Sequence, residues 1–346
     1  MQQKALIVGS GPAGSSAAYF LSDHGFDVTV AERLGNDQYN RYHQICGGGI
    51  SKSTFGKLSP MKPYGVLNEF RNTKLQWPDG TEIKMKTKGY VLDRPEFLKH
   101  LREECGEDVK FVRKSVTSIE KTDDKFTVHS LDGNTETFDW VIGADGASSV
   151  VRKCLFGSRP AFSCYATEFI VNRKSDGDLT IKLSDDGSGS YMWDFPRGNV
   201  SGIGGMKGHC PECEPISEGT RAIPVGGVGK ISDGHAMLIG DAAAMANPVT
   251  YGGLKAALIA GKKAAESVIK NNSEILQKWW DKSILSDRRF MDFNRKLREW
   301  TPEDMKKAVK PFRNGHVIPS GIAACITQPG NINMYFGCLF AFRYGW

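Results

Sequence analysis

The start of the chain combines two strand patterns with a helical one. An uninterrupted apolar run at residues 4–9 predicts a buried β-strand, and a run of mostly small residues at 12–24 predicts a closely packed helix. Residues 27–32 repeat the strand pattern. A strand, a helix and a strand in this order predict a βαβ unit with two parallel strands.

The pattern then changes several times. A polar, glycine-rich stretch from Gly35 to about Pro60 predicts a loop. Alternation at residues 74–77 and 81–86 predicts antiparallel strands around an Asp79-Gly80 turn. A helix is predicted at 94–104, and further strands at 109–120, 125–131 and 136–142.

The second half of the chain differs at first and then returns to the earlier pattern. Short alternating strands between turn residues, from about 161 to 224, predict an antiparallel sheet. A buried strand at 236–240 and a small-residue helix near Ala260 resemble the start of the chain again. The remainder is predicted to be helical to about Phe312 and irregular beyond it.

These patterns predict a mixed α/β fold, α+β overall, with one domain that is split along the sequence. Residues 1–155 and 225–275 form a Rossmann-like dinucleotide-binding domain, and 156–224 form an inserted antiparallel substrate sheet. Residues 60–92 are assigned to the split domain, with membership of the inserted sheet as the alternative. Residues 276–346 form a short helical C-terminal region.

Composition narrows the class of protein. At 346 residues, 40% hydrophobic and 24% charged, the chain resembles a globular protein with a substantial core. No apolar run is long enough to span a bilayer, and the residues after Met1 do not resemble a signal peptide. Eight scattered cysteines favour free thiols in a reducing compartment. We therefore expect a cytoplasmic protein.

The C-terminal part is both basic and aromatic. Basic residues become denser after position 261, within a net charge of +6, and Trp279, Trp280 and Trp300 lie among them. The segment from Met334 to Phe342 is strongly apolar. A solvated helix face and packing on the core explain these features, and a peripheral contact with a membrane explains them as well.

The glycine motif after the first strand is the first candidate for chemistry. Gly9, Gly11 and Gly14 are spaced so that one makes a tight turn, one lets the backbone approach a pyrophosphate, and one lets the helix pack on the strand. Glu32 ends the next strand, where a carboxylate binds a ribose diol and repels a 2′-phosphate. Arg33 beside it is placed to stack on adenine. These residues predict a dinucleotide site that disfavours NADP.

Two later motifs distinguish between dinucleotides. Val141 to Arg152 gives a strand, a turn containing Asp145 and a helix start, and Ala236 to Ala243 places Asp241 at the end of a buried strand. The three motifs, in this order, resemble the FAD-binding proteins of the aromatic-hydroxylase superfold. The resemblance implies that Asp241 binds the ribityl chain and that Gly253 and Leu254 lie at the isoalloxazine.

Three further segments narrow the resemblance. Cys46-Gly47-Gly48-Gly49, the strand from Tyr191 to Pro196, and the segment around Arg94 resemble the geranylgeranyl reductase family over residues 4–270. The family implies a Cys-x-x-Gly loop beside the flavin, an aromatic strand along the substrate pocket, and an arginine that reaches FAD. The expected cofactor-binding positions are Gly9, Gly11, Ala13, Gly14, Glu32, Arg33, Cys46, Gly47, Gly49, Arg94, Val116, Asp145, Asp241, Gly253 and Leu254.

Substrate residues follow from the same segments. Tyr191, Trp193 and Phe195 alternate along one strand, so they face one side and form an apolar wall for a polyprenyl chain, or else part of an ordinary core. Alkene reduction needs a hydride from the flavin and a proton. Cys46, Tyr191 or an ordered water is expected to deliver that proton, and Cys46 is otherwise a redox partner, a polarisable wall or a small buried hydrophobe.

A metal site is not expected. Cys210 and Cys213 form a lone C-x-x-C pair, which is too few ligands to enclose zinc, so a structural or incidental role is favoured. His43 and His235 show no ligand spacing and are given no role.

The sequence thus predicts an FAD-dependent reductase of C=C bonds in a geranylgeranyl-type chain. An aromatic monooxygenase or halogenase on the same fold is the alternative, and a non-catalytic flavin-binding module is a third reading. No second dinucleotide motif is present, so the external reductant stays open among NAD(P)H, ferredoxin and a deazaflavin. The expected partners are an isoprenoid or other apolar small molecule, an electron-donor protein and a membrane surface, with no nucleic acid.

Overall fold

The computed structural model describes residues 2–123, 125–184, 191–206, 214–313 and 317–344. Its strands are β1 (Lys4–Val8), β2 (Asp27–Glu32), β3 (Gly49–Ser51), β4 (Val66–Gln76), β5 (Glu82–Leu92), β6 (Val109–Arg113), β7 (Val116–Thr122), β8 (Lys125–Ser130), β9 (Thr135–Phe138), β10 (Trp140–Gly143), β11 (Phe162–Val171), β12 (Leu179–Leu183), β13 (Tyr191–Arg197), β14 (Val200–Met206), β15 (Pro215–Val225), β16 (Ser232–Asp233) and β17 (Ala236–Leu238). Its α-helices are α1 (Pro12–Leu21), α2 (Asn36–Gln44), α3 (Lys52–Lys57), α4 (Arg94–Glu103), α5 (Leu254–Ile269), α6 (Glu274–Asp281), α7 (Arg288–Glu299), α8 (Pro302–Val309), α9 (Val317–Thr327) and α10 (Ile332–Tyr344).

A six-stranded sheet in the order β16-β17-β10-β1-β2-β6 forms one half of the molecule. Its strands are parallel except for the short β16. Helices α1 and α5 pack closely on each other, because a Cβ at Gly261 would lie 2.6 Å from the carbonyl oxygen of Ala13. The small residues of both helices therefore join the start of the chain to residues 236–269.

The second half is an eight-stranded sheet in the order β15-β11-β14-β13-β12-β4-β5-β3. Its pairs are antiparallel except for β12 beside β4. The two strands predicted around Asp79-Gly80 are the ends of the longer β4 and β5, and both lie in this sheet. Together the two halves confirm the predicted α/β class, with a Rossmann-like parallel sheet and a mainly antiparallel second sheet, which is called the substrate sheet below after its predicted role.

The strand predicted at 109–120 is two strands. Its first part, β6, is the edge of the parallel sheet, and its second part, β7, belongs to a separate three-stranded sheet in the order β7-β8-β9. The polar pair Lys114-Ser115 separates them without a glycine or proline, so the local sequence does not mark the break.

The loop predicted from 35 to 60 was wrong, because the segment contains α2, β3 and α3. Helix α2 is mostly polar, and its buried residues are Tyr39 and His43, four positions apart. The Arg102 guanidinium of α4 lies 4.0 Å from the centre of the Tyr39 ring. Contacts with a distant helix thus stabilise a segment whose own pattern is weak.

The irregular C-terminus predicted beyond Phe312 was also wrong, because α9 and α10 lie there. Gly337 brings α10 against α7, since a Cβ at this position would lie 3.2 Å from the carbonyl oxygen of Arg289. Met334, Ala341 and Phe342 belong to the buried core that these helices share with the substrate sheet. Packing of this kind tolerates the glycines and prolines that obscure the helical pattern in the sequence.

Candidate active site

The turn between β1 and α1 is built by two glycines that no larger residue can replace. Gly9 has a φ of +96°, and a Cβ there would lie 2.5 Å from the carbonyl oxygen of Ala144. A Cβ at Gly14 would lie 1.9 Å from the carbonyl oxygen of Gly9. Gly11 is the N-cap of α1 and has no side-chain cap, so the first N–H groups of the helix are free for an anion.

Glu32, at the end of β2, is held in place by the same turn. Its carboxylate accepts hydrogen bonds from the Ser10 N–H and Ser10 Oγ, both at 3.0 Å, and from the Leu34 N–H at 2.9 Å. Arg33 lies next to it, and both residues line one cavity of the structure. The acid is therefore fixed in orientation on the wall of the cavity.

Asp145 organises the turn after β10. Its carboxylate accepts hydrogen bonds from Ser149 Oγ at 2.5 Å and from the Val150 and Val151 N–H groups at 2.6 and 3.2 Å. Burial raises its pKa, and these hydrogen bonds oppose the rise. The side chain expected to bind cofactor is thus largely engaged in shaping its own turn, although it also lines the cavity.

Arg152 connects this turn to the next motif. Its buried guanidinium donates to the carbonyl oxygen of Ala147 at 2.6 Å and to that of Ala242 at 2.8 Å. Ala242 belongs to the 3₁₀ turn Gly240–Ala243, which contains Asp241. The two motifs that follow separate strands are therefore tied together by one side chain.

Asp241 faces the cavity beside Gly253 and Leu254, at the start of α5. Burial raises the pKa of this carboxyl to about 6, and the Arg94 guanidinium opposes the rise. Arg94, the first residue of α4, donates from Nε to the carbonyl oxygen of His43 at 3.1 Å. The structure thus places a cation and a buried carboxyl on one side of the cavity.

The loop that follows α2 lies against the substrate sheet. A Cβ at Gly47 would lie 2.6 Å from Cδ2 of the Phe195 ring, and Gly48, with a φ of +71°, approaches the carbonyl oxygen of Leu92. Arg197 donates to the carbonyl oxygen of Cys46 at 2.7 Å. Packing on the Phe195 ring and on the Leu92 backbone therefore already requires glycines here, and the Cys46 thiol is half-buried at the edge of the cavity.

The aromatic strand forms the opposite wall. Tyr191, Trp193 and Phe195 all line the same cavity. The Tyr191 hydroxyl donates to the carbonyl oxygen of Thr250, and its ring stacks on Tyr251 with the ring centres 5.6 Å apart. Burial raises the pKa of Tyr191 well above 10.

One cavity of about 480 Å³ brings these features together. Of the expected site residues, Gly14 alone lies behind the lining, where it lets α1 pack on the glycine turn. Those that line the cavity are Gly9, Gly11, Ala13, Glu32, Arg33, Cys46, Gly47, Gly49, Arg94, Val116, Asp145, Tyr191, Trp193, Phe195, Asp241, Gly253 and Leu254.

Sequence reasoning missed several cavity residues. Glu168, Arg221 and Tyr251 line the cavity, as does His43, which was given no role. Burial lowers the pKa of His43 well below 6.5, and three neighbouring arginines add to the effect. The one sequence signal for Glu168 is an acid at a position in phase with the apolar Cys164 and Ala166 of β11.

The described residues contain no cluster of three or more His, Cys, Asp or Glu side chains suited to a metal ion, and Cys210 and Cys213 lie outside those residues. Across the same described ranges, no helix combines the length and hydropathy needed to cross a bilayer.

Comparisons with known proteins agree with this geometry. Residues 2–182 match the family described as FAD binding domain. The chain is 30% identical over 312 residues to digeranylgeranylglycerophospholipid reductase 2 of Methanothermobacter thermautotrophicus, with 78% of this chain and 79% of that protein covered. It is 29% identical over 306 residues to the enzyme of the same name from Methanosphaera stadtmanae, with 74% and 75% covered.

A solved structure shows the same fold. The geranylgeranyl bacteriochlorophyll reductase-like protein of Thermoplasma acidophilum superposes with a TM-score of 0.76 at 20% identity, over 96% of this chain and 98% of that chain. At this identity the likeness concerns the fold alone. It includes both the parallel sheet and the substrate sheet, since nearly the whole of each chain is aligned.

Proposed function

This chain belongs to the geranylgeranyl reductase family of FAD-dependent oxidoreductases, and on that basis we propose that it saturates C=C bonds of a geranylgeranyl or other polyprenyl chain. The chain to be reduced belongs to a lipid, quinone or pigment precursor. The predicted family, the FAD cofactor and the oxidoreductase class are confirmed by these comparisons. A non-catalytic binding module is thereby set aside.

The residues of the cavity fit FAD. Gly9 and Gly14 allow the tight turn that aims the N-terminus of α1 at the cavity, Glu32 offers acceptors to a ribose, and Asp241 offers a carboxyl near the start of α5. We assign the pyrophosphate to the N-terminus of α1 and the ribityl chain to Asp241. Bound and reduced, FAD supplies the hydride for the reaction.

The observation that carries the proposed substrate class is the position of the aromatic strand. Tyr191, Trp193 and Phe195 lie on the same cavity as the proposed cofactor residues and the Cys46 loop. Three aromatic side chains offer a polyprenyl chain an apolar surface and exclude water from the reacting bond. The Tyr191 hydroxyl is engaged by the Thr250 carbonyl, so this wall presents mainly ring surface to a substrate.

Cys46 and Tyr191 are the proposed catalytic residues. Each carries a proton on a heteroatom and lies on the cavity. Tyr191 donates its hydroxyl proton to the Thr250 carbonyl, which fixes the phenol in one orientation. We therefore assign Tyr191 to contact with the substrate at the reacting bond, and Cys46 to the flavin side of the same space.

Anaerobic turnover tests the reaction. Reduced holoenzyme is incubated with a geranylgeranyl-bearing lipid, and the product is examined by mass spectrometry. We expect a gain of two hydrogens for each bond reduced. Hydroxylation or halogenation that depends on oxygen would instead favour the monooxygenase alternative. Comparing NADH, NADPH, reduced ferredoxin and a reduced deazaflavin in this assay identifies the electron donor.

Because the proposed substrate is an apolar polyprenyl chain, we expect the protein to act at a membrane surface. Helix α9 offers a face for that contact. Ile318, Ile322 and Ile326 lie four residues apart on one side of α9 and are 76%, 60% and 75% exposed. Phe336 and Leu339 of α10 add to the exposed apolar side chains. We assign this face to peripheral contact with an anionic membrane.

Two basic residues lie close to the segment that follows α9. Lys296 donates to the carbonyl oxygen of Gly330, between α9 and α10, and Gln328 donates to the carbonyl oxygen of Lys307. The Lys296 ammonium and the Lys307 backbone therefore lie near the segment that follows the C-terminal end of α9. When basic residues accompany an apolar face, the affinity for a membrane increases with the fraction of anionic lipid.

Vesicle flotation tests the contact. The triple variant Ile318→Ser, Ile322→Ser, Ile326→Ser should lose binding to phosphatidylglycerol vesicles and keep its thermal unfolding temperature, because the three side chains are exposed. Deleting residues 313–346 would be less informative, since Met334, Ala341 and Phe342 are buried.

The matched control replaces exposed apolar residues elsewhere, at Leu131, Ile216 and Ile269, with serine. Equal loss of flotation in both triple variants would contradict a specific face. Unchanged flotation in the α9 variant would remove α9 from the proposal.

A further inference from the structure

Glu168 is a buried acid on the wall of the cavity, and it has no role in the function proposed above. It lies in the middle of β11 and is 4% exposed. In the sheet it pairs with Gly204 of β14, and Gly204 pairs with Trp193 of β13. Residues directly opposite one another share a face of a sheet, so Glu168 faces the same side as the aromatic wall.

Glycines around Glu168 make room for its side chain. A Cβ at Gly202 would lie 2.4 Å from Glu168 Oε1, and a Cβ at Gly204 would lie 1.9 Å from the Trp193 ring. On the other side, Glu168 pairs with Gly219 of β15, which lines the cavity. The Glu168 carboxyl and the Trp193 indole thus lie on the same face of the sheet, above glycine positions that carry no side chains. Both groups line the proposed substrate space.

The Glu168 carboxyl group has few partners that would stabilise its negative charge. Glu168 Oε1 is buried without a hydrogen-bond partner, and the ion pairs of the described residues do not include this acid. Burial raises its pKa to about 7, and the guanidinium groups of Arg197 on β13 and Arg94 on α4 oppose the rise. Such a group holds a proton near neutral pH and has a free position from which to donate it.

Other titratable groups face the same space. Arg221 of β15, His43 of α2 and Asp241 line the cavity, and Arg197 is occupied by the carbonyl oxygen of Cys46. Tyr191 is the weaker acid, because its proton is engaged by Thr250 and its pKa lies well above 10. Among these groups, Glu168 combines burial, an unpartnered oxygen and a place beside the substrate wall.

We propose that Glu168 supplies the proton that the reduction adds to the second carbon of the double bond. This role rests on the proposed alkene reduction. The hydride forms one new C–H bond with its own electron pair, and the π pair of the alkene forms the other with the proton from Glu168. The O–H bond of the acid breaks, leaving a carboxylate that regains its proton from solvent before the next turnover.

The test uses FAD-loaded Glu168→Gln, with Glu168→Asp as the conservative variant and Glu218→Gln as the control. Glu218 lies on the neighbouring β15 and is exposed. Glutamine keeps the shape and removes the acid, so kcat should fall by about 100-fold or more while KM changes little. Aspartate should restore part of the rate, and Glu218→Gln should match the wild type.

Two pH measurements add readouts that a structural role would not move. The wild-type kcat should fall as pH rises through about 7, and this decline should be absent from the residual activity of Glu168→Gln. Infrared titration of the wild type should show a protonated carboxyl band that disappears over the same range. The part of this band that titrates near pH 7 should be missing from Glu168→Gln, whereas the contribution of Asp241, with a pKa of about 6, should remain, and detection of the band does not depend on turnover.

The outcomes distinguish a failure of the proton-donor role from a failure of the reductase proposal. Wild-type kcat and an unchanged pH profile in Glu168→Gln would overturn the proton-donor role and leave the reductase proposal intact. A wild type without the carboxyl band would overturn the role as well, even if Glu168→Gln does not fold. A wild type that reduces no prenyl chain would overturn the reductase proposal, and the role with it.

Discussion

Glycines serve different purposes in the two sheets of this molecule. In the turn after β1, Gly9 and Gly14 let backbone pack on backbone, as shown by the short distances that a Cβ would make. In the substrate sheet, Gly202 and Gly204 leave space above the strands for the side chains of Glu168 and Trp193. The first pair shapes a binding turn, and the second pair makes room for functional groups.

Replacing Gly14 with alanine tests the first purpose. Its Cβ would meet the carbonyl oxygen of Gly9 at 1.9 Å, so the turn must open. We expect a loss of about 1–3 kcal/mol in the free energy of unfolding, as for other overpacked sites, and a lower ratio of bound FAD to protein. Urea unfolding and flavin absorbance measure the two effects.

Gly56→Ala is the matched control, because Gly56 is an exposed residue of α3 and a Cβ there would meet nothing within 4 Å. It should bind FAD normally and be at least as stable as the wild type, since alanine favours a helix. Normal FAD content in Gly14→Ala would show that the turn is not the pyrophosphate site.

Single residues also show which parts of the site can be predicted from the sequence. Glu32, Asp145 and Asp241 could be chosen because each follows a strand in a recognisable motif, and all three line the cavity. Glu168 belongs to no motif, and its importance depends on Gly204 and Trp193 from neighbouring strands. Pairing between strands distant in sequence is the information that a local pattern does not contain.

At the scale of elements, the central strands β1, β10 and β17 of the parallel sheet were predictable because they are buried and almost wholly apolar. Helix α2 was missed because it buries only Tyr39 and His43 among polar residues. Helix α10 was missed for the opposite reason, since apolar side chains surround it and the helical period is lost. In both cases contacts with other elements, rather than the local sequence, decide the structure.

The connection between elements through Arg152 gives a second prediction. Replacing Arg152 with methionine removes the hydrogen bonds to Ala147 and Ala242 and leaves both carbonyl groups without their donor. We expect a loss of roughly 2–4 kcal/mol in the free energy of unfolding. FAD should also dissociate faster, because the turn that contains Asp241 is released. Stopped-flow flavin fluorescence measures that rate.

Lys153→Met is the control for Arg152→Met, because it changes a basic residue that is adjacent and exposed. It should leave both stability and FAD dissociation unchanged. If Arg152→Met unfolds more easily but releases FAD at the wild-type rate, Arg152 stabilises the domain without shaping the cofactor site.

At the scale of the whole molecule, the site depends on segments that the chain brings together from both sheets. The glycine turn comes from β1, Asp241 follows β17, and the aromatic wall comes from β13. Assembling them buries ionisable groups that an unfolded chain would leave in water. The pKa of Glu168 rises to about 7 and that of Asp241 to about 6, while that of Lys255 falls to about 8.

These shifts predict how the stability of the FAD-free protein depends on pH. The two acids bind more protons when folded, which lowers stability as pH rises from about 4 to about 7, while His43, whose pKa is lowered by burial, binds fewer protons when folded and opposes this fall below about pH 6.5. Lys255 binds fewer protons when folded, so stability rises again between about 8 and 10.5. Stability should therefore pass through a minimum between about pH 7 and 8, where all three groups are charged.

Urea unfolding of Glu168→Gln tests this minimum. A pKa raised from 4.5 to about 7 corresponds to at most about 3 kcal/mol, so the variant should gain up to that amount over the wild type near pH 8 and little near pH 5. Glu218→Gln should show no such dependence, because the side chain is exposed. A constant difference between Glu168→Gln and the wild type at every pH would mean that the pKa of Glu168 is the same in the folded and the unfolded protein. The loss of Glu168 would then act through packing alone.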